Sequence, residues 1–234
     1  MTAAAFRLSR GIRCLQPPRQ VSFIVRPLRK GSVLPTKAVY LLVVPGFADW
    51  EPAHAVAELR RHGHYRVEVV GFSTDAVQSM GGITVQPTRT LATVDPTDVA
   101  IFILPGGDRW EKQPPELELV DVLTTLEGHN VPIAAVCAAT TAIGRAGLLR
   151  GRRHTINGLE YLKQQVPAYS EADMYVDTPA VRDRGLITAS DLADVEFCAG
   201  NHGRTGGSLR SRPLDHSLSR RPVSSRSHLT SVCD

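Results

Sequence analysis

A cysteine that ends an apolar strand and begins a small-residue helix is set up to be a nucleophile. Cys137 holds that position in Val131-Pro-Ile-Ala-Ala-Val-Cys137-Ala-Ala-Thr-Thr-Ala-Ile-Gly144. A strand-to-helix turn of this kind lifts one side chain clear of the backbone and aims it over the top of a sheet. It also sets the thiol beside free helix N–H groups, whose partial positive charge favours thiolate. Ala138 and Ala139 leave room for a ligand; a strand-end Cys that only packs is the alternative, since free Cys is often buried. A thiol nucleophile needs a group that controls its proton, a proton shuttle, and donors for a developing oxyanion. Glu51 follows Gly46-Phe-Ala-Asp-Trp50 at the mouth of an earlier strand, and would hydrogen-bond the thiolate if burial raised its pKa. Taken alone it also reads as an ordinary first-turn helix carboxylate. Asp49 and Asp108 compete for the acidic role and rank below it. His154 comes shortly after the elbow at the edge of a new element, and could move protons near pH 7. Gly106-Gly107 ends another strand, so the N–H groups of Gly107 and Ala138 could form an oxyanion hole, although Pro-Gly-Gly is also common loop chemistry.

These residues need strands to carry them. Ala38-Val-Tyr-Leu-Leu-Val-Val44 is an apolar, β-branched run closed by Pro45-Gly46, as in a buried parallel strand. The pattern then predicts a helix from about Pro52 to Arg61, a strand over Tyr65–Gly71, a hairpin around Gly81-Gly82 and a strand over Val99–Leu104. A helix over Glu116–Glu127 and the strand Val131–Val136 lead to Cys137. Beyond it come a helix near Gly158–Gln165, a short strand near Met174–Asp177, and a turn at Arg184-Gly185. The strand Leu186–Ala189 follows, then a helix beginning at Ser190-Asp191 with Leu192, Val195 and Phe197 in its opening turns. Alternating strands and helices indicate an α/β protein whose mostly parallel sheet is covered on both faces. Ligands in such sheets bind beyond the carboxyl ends of the strands, where Glu51, Gly106-Gly107 and Cys137 all fall.

The net charge of +4 is unevenly placed. Residues 1–40 carry eight Arg and Lys and no acid; residues 199–234 carry six Arg and two Asp. The middle, 41–198, keeps 13 basic and 21 acidic side chains, so a basic pI is no sign that the folded part binds nucleic acid. Residues 1–36 read as a basic, disordered extension or a misplaced start. Their Arg-rich, acid-free composition is that of a transit peptide, but Pro17-Pro18 and Pro27 interrupt any amphipathic helix. Residues 199–234 read as an Arg/Ser-rich disordered tail. It begins inside a helix rather than at a linker, which points to a frameshift, an altered splice or an unusual extension. Four scattered cysteines (Cys14, Cys137, Cys198 and Cys233) form no metal-spaced pair, so a reducing, cytoplasmic setting is expected, without a disulfide framework or zinc site. No apolar run reaches membrane-spanning length, which predicts a soluble protein. Neither glycine pair has the spacing of a dinucleotide fingerprint or P-loop, and no metal or organic cofactor is expected.

Together these segments resemble the ThiJ/PfpI family of the class I glutamine-amidotransferase-like superfamily. The resemblance covers roughly Lys37 to Cys198 and rests on Gly46-Phe-Ala-Asp-Trp-Glu51, Leu104-Pro-Gly-Gly107, Ala135-Val-Cys137-Ala-Ala-Thr and His154-Thr-Ile-Asn157-Gly-Leu-Glu160. It implies a flavodoxin-like three-layer sandwich, often a homodimer, with the elbow Cys beside a protonated Glu and a nearby His. Family activities include isocyanide hydration, glyoxalase or deglycase chemistry, proteolysis, and redox-sensing or chaperone roles. Members resembling the intracellular protease place His directly after the nucleophile, whereas Ala138 follows Cys137, so proteolysis is disfavoured. Glutamine amidotransferases supply a late His-x-Glu pair, and none occurs between Ala180 and Cys198, which disfavours glutaminase activity. The leading expectation is a cysteine-dependent hydrolase or lyase acting on a small electrophilic molecule. A non-catalytic redox-sensing or chaperone-like protein, or an inactive truncated product, stands as the alternative.

Overall fold

The computed structural model describes residues 37–113, 115–194 and 196–197. The readings made for residues 1–36 and 199–234, and for Cys14, Cys198 and Cys233, lie outside the described residues. The chain opens with β1 (Ala38–Leu42), α1 (Trp50–Arg61) and β2 (Arg66–Gly71). The hairpin of β3 (Val77–Gln78) and β4 (Thr84–Val85) follows, turning at Gly81-Gly82 as expected. Next come β5 (Arg89–Thr90), β6 (Val99–Leu104), the short α2 (Arg109–Lys112), α3 (Leu117–Gly128) and β7 (Ile133–Val136). The elbow leads into α4 (Ala139–Arg145), then α5 (Leu159–Gln165), β8 (Ala180–Asp183) and β9 (Leu186–Ala189).

Seven strands form one sheet in the order β5-β2-β1-β6-β7-β9-β8, parallel throughout except for β8, which runs against β9. This is the flavodoxin-like architecture that the resemblance implies. Alternate residues of the central strands enter two separate cores, because successive side chains of a strand face opposite ways. Tyr40, Leu42, Phe102, Leu104, Ile133 and Ala135 pack with Leu119, Leu123 and Leu126 of α3 and with Ala139, Ala142 and Ile143 of α4. Val39, Ile101, Ile103, Ala134, Val136 and Ile187 pack with Ala55 and Leu59 of α1. With both faces covered, the strands read as continuous apolar runs.

Two details differ from the sequence reading. The strand expected near Met174–Asp177 is a 3₁₀ turn, Ala172–Met174, followed by a single bridge between Tyr175 and His154. The edge strand is β8 instead, whose Arg182 and Asp183 carry little apolar signal. Phe197 is fully buried on the α1 face with Ala193, while Leu192 is 86% exposed. We expect Phe197→Ala to destabilise the chain by about 3–5 kcal/mol, read as a lower urea midpoint; an unchanged midpoint would mean that this side chain contributes no packing.

Candidate active site

The carboxyl ends of β1, β6, β7 and β9 converge, and each supplies one part of the site. Cys137 follows β7 with φ of 54°, a left-handed conformation that non-glycine residues rarely adopt. The turn is over-determined by its neighbours. The Cys137 N–H donates to the Ala189 carbonyl at the end of β9 (2.9 Å), and its own carbonyl accepts from the Thr140 N–H of α4 (3.1 Å). Sγ therefore stands at the sheet's edge, partly exposed, as the elbow pattern predicts.

Glu51 reaches this point from the first turn of α1 and is only 1% exposed. Its Oε2 accepts the Gly106 N–H after β6, and the carboxyl group hydrogen-bonds Cys137. Gly106 is required by space. A Cβ there would lie 2.8 Å from both Glu51 carboxylate oxygens and 2.9 Å from the Cys137 Cβ. Gly107 is required by backbone, with φ of +148° and a notional Cβ 2.7 Å from the Gly46 carbonyl. Glycines thus let three loops meet where side chains would hold them apart.

Burial pushes the Glu51 pKa up to about 7, against the pull of the Gly106 N–H and the Cys137 hydrogen bond. The thiol is pushed up to about 11, by burial first and then by the Glu51 charge. Donation from Asn157 and from the Ala138 N–H works in the opposite direction. The lowered thiol pKa expected from the helix N–H groups is therefore outweighed. Desolvation and a neighbouring carboxylate both disfavour a second negative charge. The two groups titrate as a pair: one proton leaves near pH 7, and the second is held until well above it.

Sequence reasoning missed Asn157. Its Nδ2 donates to Sγ at 3.1 Å, and its Oδ1 accepts the Asp191 N–H at 3.2 Å. The amide orientation is thereby set, and a neutral donor faces the sulfur. Asn157 lies three residues after His154, the residue expected to move protons. His154 is fully buried and both ring nitrogens are engaged elsewhere. Nδ1 meets the Arg152 carbonyl and Nε2 the Tyr169 hydroxyl, each at 2.7 Å. Burial also lowers its pKa, against the pull of the Arg152 carbonyl and the Glu171 charge. Its backbone holds the segment in register, accepting from Val176 N–H (2.9 Å) and donating to the Met174 carbonyl (3.2 Å). The structure thus brings Cys137, Glu51, Gly106 and the Ala138 N–H together, whereas Gly107 lies against Gly46 and Phe47 and both nitrogens of the His154 ring are bonded to other groups than the thiol. The two competing acids are engaged elsewhere as well: Asp49 accepts from Ser79 Oγ (2.6 Å) and Asp108 pairs with Lys112 (2.9 Å).

We expect His154→Leu to cost about 1–3 kcal/mol by leaving the Arg152 carbonyl without its donor. The pH midpoint of Cys137 alkylation should not move; a displaced midpoint would show that the ring reaches the thiol.

Residues 37–199 match the DJ-1/PfpI family. The chain belongs to that family. At 33% identity over 172 residues it is similar to the uncharacterized protease YoaZ of Bacillus subtilis, a match covering 69% of this chain and 80% of the relative. The deglycase PH1704 of Pyrococcus horikoshii is 26% identical over 157 residues, covering 67% of this chain and 92% of the relative. Among solved structures, the DJ-1 superfamily protein Atu0886 from Agrobacterium tumefaciens superposes with a TM-score of 0.66 at 32% identity. That superposition covers 70% of this chain and 87% of the other. The fold is the one that the resemblance to this family implies. Among the described residues no cluster of His, Cys, Asp and Glu could hold a metal ion, and no helix is long and apolar enough to cross a membrane.

Proposed function

We propose that this DJ-1/PfpI protein is a cysteine-dependent enzyme of hydrolase or lyase type, acting on a small electrophilic molecule with a carbonyl-like carbon. The observation that carries the reading is the pairing of an elbow thiol with a buried carboxyl whose pKa is held at about 7. A group with its pKa near ambient pH is well matched to general acid–base work.

As Sγ bonds to the substrate carbon, Glu51 in its ionised form takes the thiol proton and the carbon–oxygen π bond becomes an alkoxide. In this reading the Ala138 N–H, which hydrogen-bonds Cys137, and the Gly107 N–H stabilise that oxygen. Protonated Glu51 then returns its proton to the alkoxide or to a leaving group. Asn157 orients the sulfur, and His154 is assigned a positioning role through the strand it anchors. No metal or organic cofactor enters this scheme. Relatives named as deglycases, such as PH1704, support a small carbonyl substrate. The name protease attached to YoaZ weighs less here, because Ala138 follows Cys137 where a protease-like site would put His.

The test is to incubate the full chain with a panel of small carbonyl compounds, glyoxal among them. Substrate loss and covalent mass on the Cys137 peptide are followed together. Catalytic loss of one class with a transient adduct at Cys137 supports the proposal. Peroxide-driven mass gain at Cys137 with no turnover of any class would support the redox-sensing alternative instead.

A further inference from the structure

Among the described residues, the charges that act on Cys137 are those of Glu51 and Asp191, and both are negative. After β9 the chain passes the thiol so closely that a single side chain spans the gap. Asn157 accepts the Asp191 N–H at 3.2 Å and donates to Sγ at 3.1 Å. The Asp191 side chain is half-buried, and among the described residues it forms no ion pair with Lys, Arg or His. Its charge acts on both reacting groups, opposing ionisation of Glu51 and of Cys137. A second carboxylate, Glu111, accepts the Tyr161 hydroxyl at 2.8 Å, and that hydroxyl in turn feels the charge on Cys137. The cation that acts on Tyr161 is Arg145. Its guanidinium is tied to backbone carbonyls, with Nε and Nη2 on Gln165 and Nη1 on Trp110. These three bonds hold the guanidinium on the neutral carbonyls of Gln165 and Trp110.

We propose that Asp191 is a specificity-determining residue that makes the approach to Cys137 charge-selective. Neutral and cationic electrophiles reach the sulfur, while carboxylates, phosphates and sulfonates are turned away. The field of a partly buried, unpaired carboxylate acts on any charged group brought to the neighbouring sulfur, attracting cations and repelling anions. The inference rests on the reading of Cys137 as the reactive group and adds the charge of the substrate it accepts.

The experiment uses the full chain and three methanethiosulfonate reagents differing only in the group they transfer: neutral methyl, cationic trimethylammonioethyl and anionic sulfonatoethyl. In each case the Cys137 sulfur attacks the reagent's sulfenyl sulfur, a mixed disulfide forms, methanesulfinate leaves and the thiol proton goes to solvent. Rates are read on the Cys137 peptide by mass spectrometry and divided by those of free cysteine. We expect the cationic reagent to exceed the anionic one by about tenfold at low salt. The ratio should fall to about twofold in Asp191→Asn, and should shrink in the unmodified chain as salt screens the field. The salt series requires no substitution and so stands even where Asp191→Asn fails to fold. A cation-to-anion ratio equal to that of free cysteine, with the neutral reagent reacting normally, overturns charge selection and leaves the nucleophile intact. Failure of the neutral reagent to modify Cys137 at all overturns both.

Discussion

We expect a Glu51→Gln chain to lose about 10²–10⁴-fold in turnover and yet to be the more stable protein above pH 7. Both results follow from one buried carboxyl. In the folded chain Glu51 keeps its proton up to about pH 7, whereas in the unfolded chain it releases it near 4.3. Between these values the unfolded state binds fewer protons, so stability falls as pH rises. The full contribution is present below pH 4 and is gone once the pH passes about 7. A displacement of this size corresponds to roughly 4 kcal/mol. Gln keeps the shape, accepts the Gly106 N–H and donates to Sγ, but never ionises, so the variant lacks that loss. Urea midpoints of the two proteins should diverge between pH 4.5 and 7.5, with the variant ahead at the upper end. Parallel curves would mean that the carboxyl ionises as freely in the fold as outside it.

Cys137→Ser is expected to remove turnover by at least about 10³-fold while leaving the fold in place. The hydroxyl is nearly isosteric and the turn is held by backbone bonds to Ala189 and Thr140, so the positive φ survives. What is lost is a proton that a carboxylate of pKa about 7 can remove. A serine hydroxyl is far too weak an acid for that partner, and Asn157 supplies a donor rather than a base. Turnover retained in this variant, with circular dichroism unchanged, would assign the chemistry to another group.

The parts of this site that were legible in the chain are those in which chemistry and backbone are written in the same few residues. Cys137 is flanked by an apolar strand and small residues, and Gly106-Gly107 closes a strand. Glu51 opens a helix after another strand end, so sheet topology alone carries all three to one edge. Asn157 was not legible. An amide is a common loop residue, and its role depends on β9 returning beside β7 so that Asp191 can turn the amide toward Sγ. His154 was misread for the converse reason: imidazole chemistry fits the task, but the fold uses both nitrogens to tie Arg152 to Tyr169. The edge strand β8 escaped notice because Arg182 and Asp183 offset its apolar content. The thiol pKa was read in the wrong direction, since helix N–H groups are visible in a sequence pattern and the depth of burial is not.

The most direct test of the central claim, that Cys137 and Glu51 titrate and act as one pair, is the pH dependence of Cys137 alkylation by iodoacetamide in the full chain and in Glu51→Gln. The unmodified chain should show a first step with a midpoint near pH 7, as Glu51 ionises and can accept the thiol proton, and a second rise toward the thiol's own pKa of about 11. In Glu51→Gln the first step should vanish, leaving a single rise at a midpoint below 11 because the carboxylate no longer opposes the thiolate. A single rise with the same midpoint in both proteins would contradict the account.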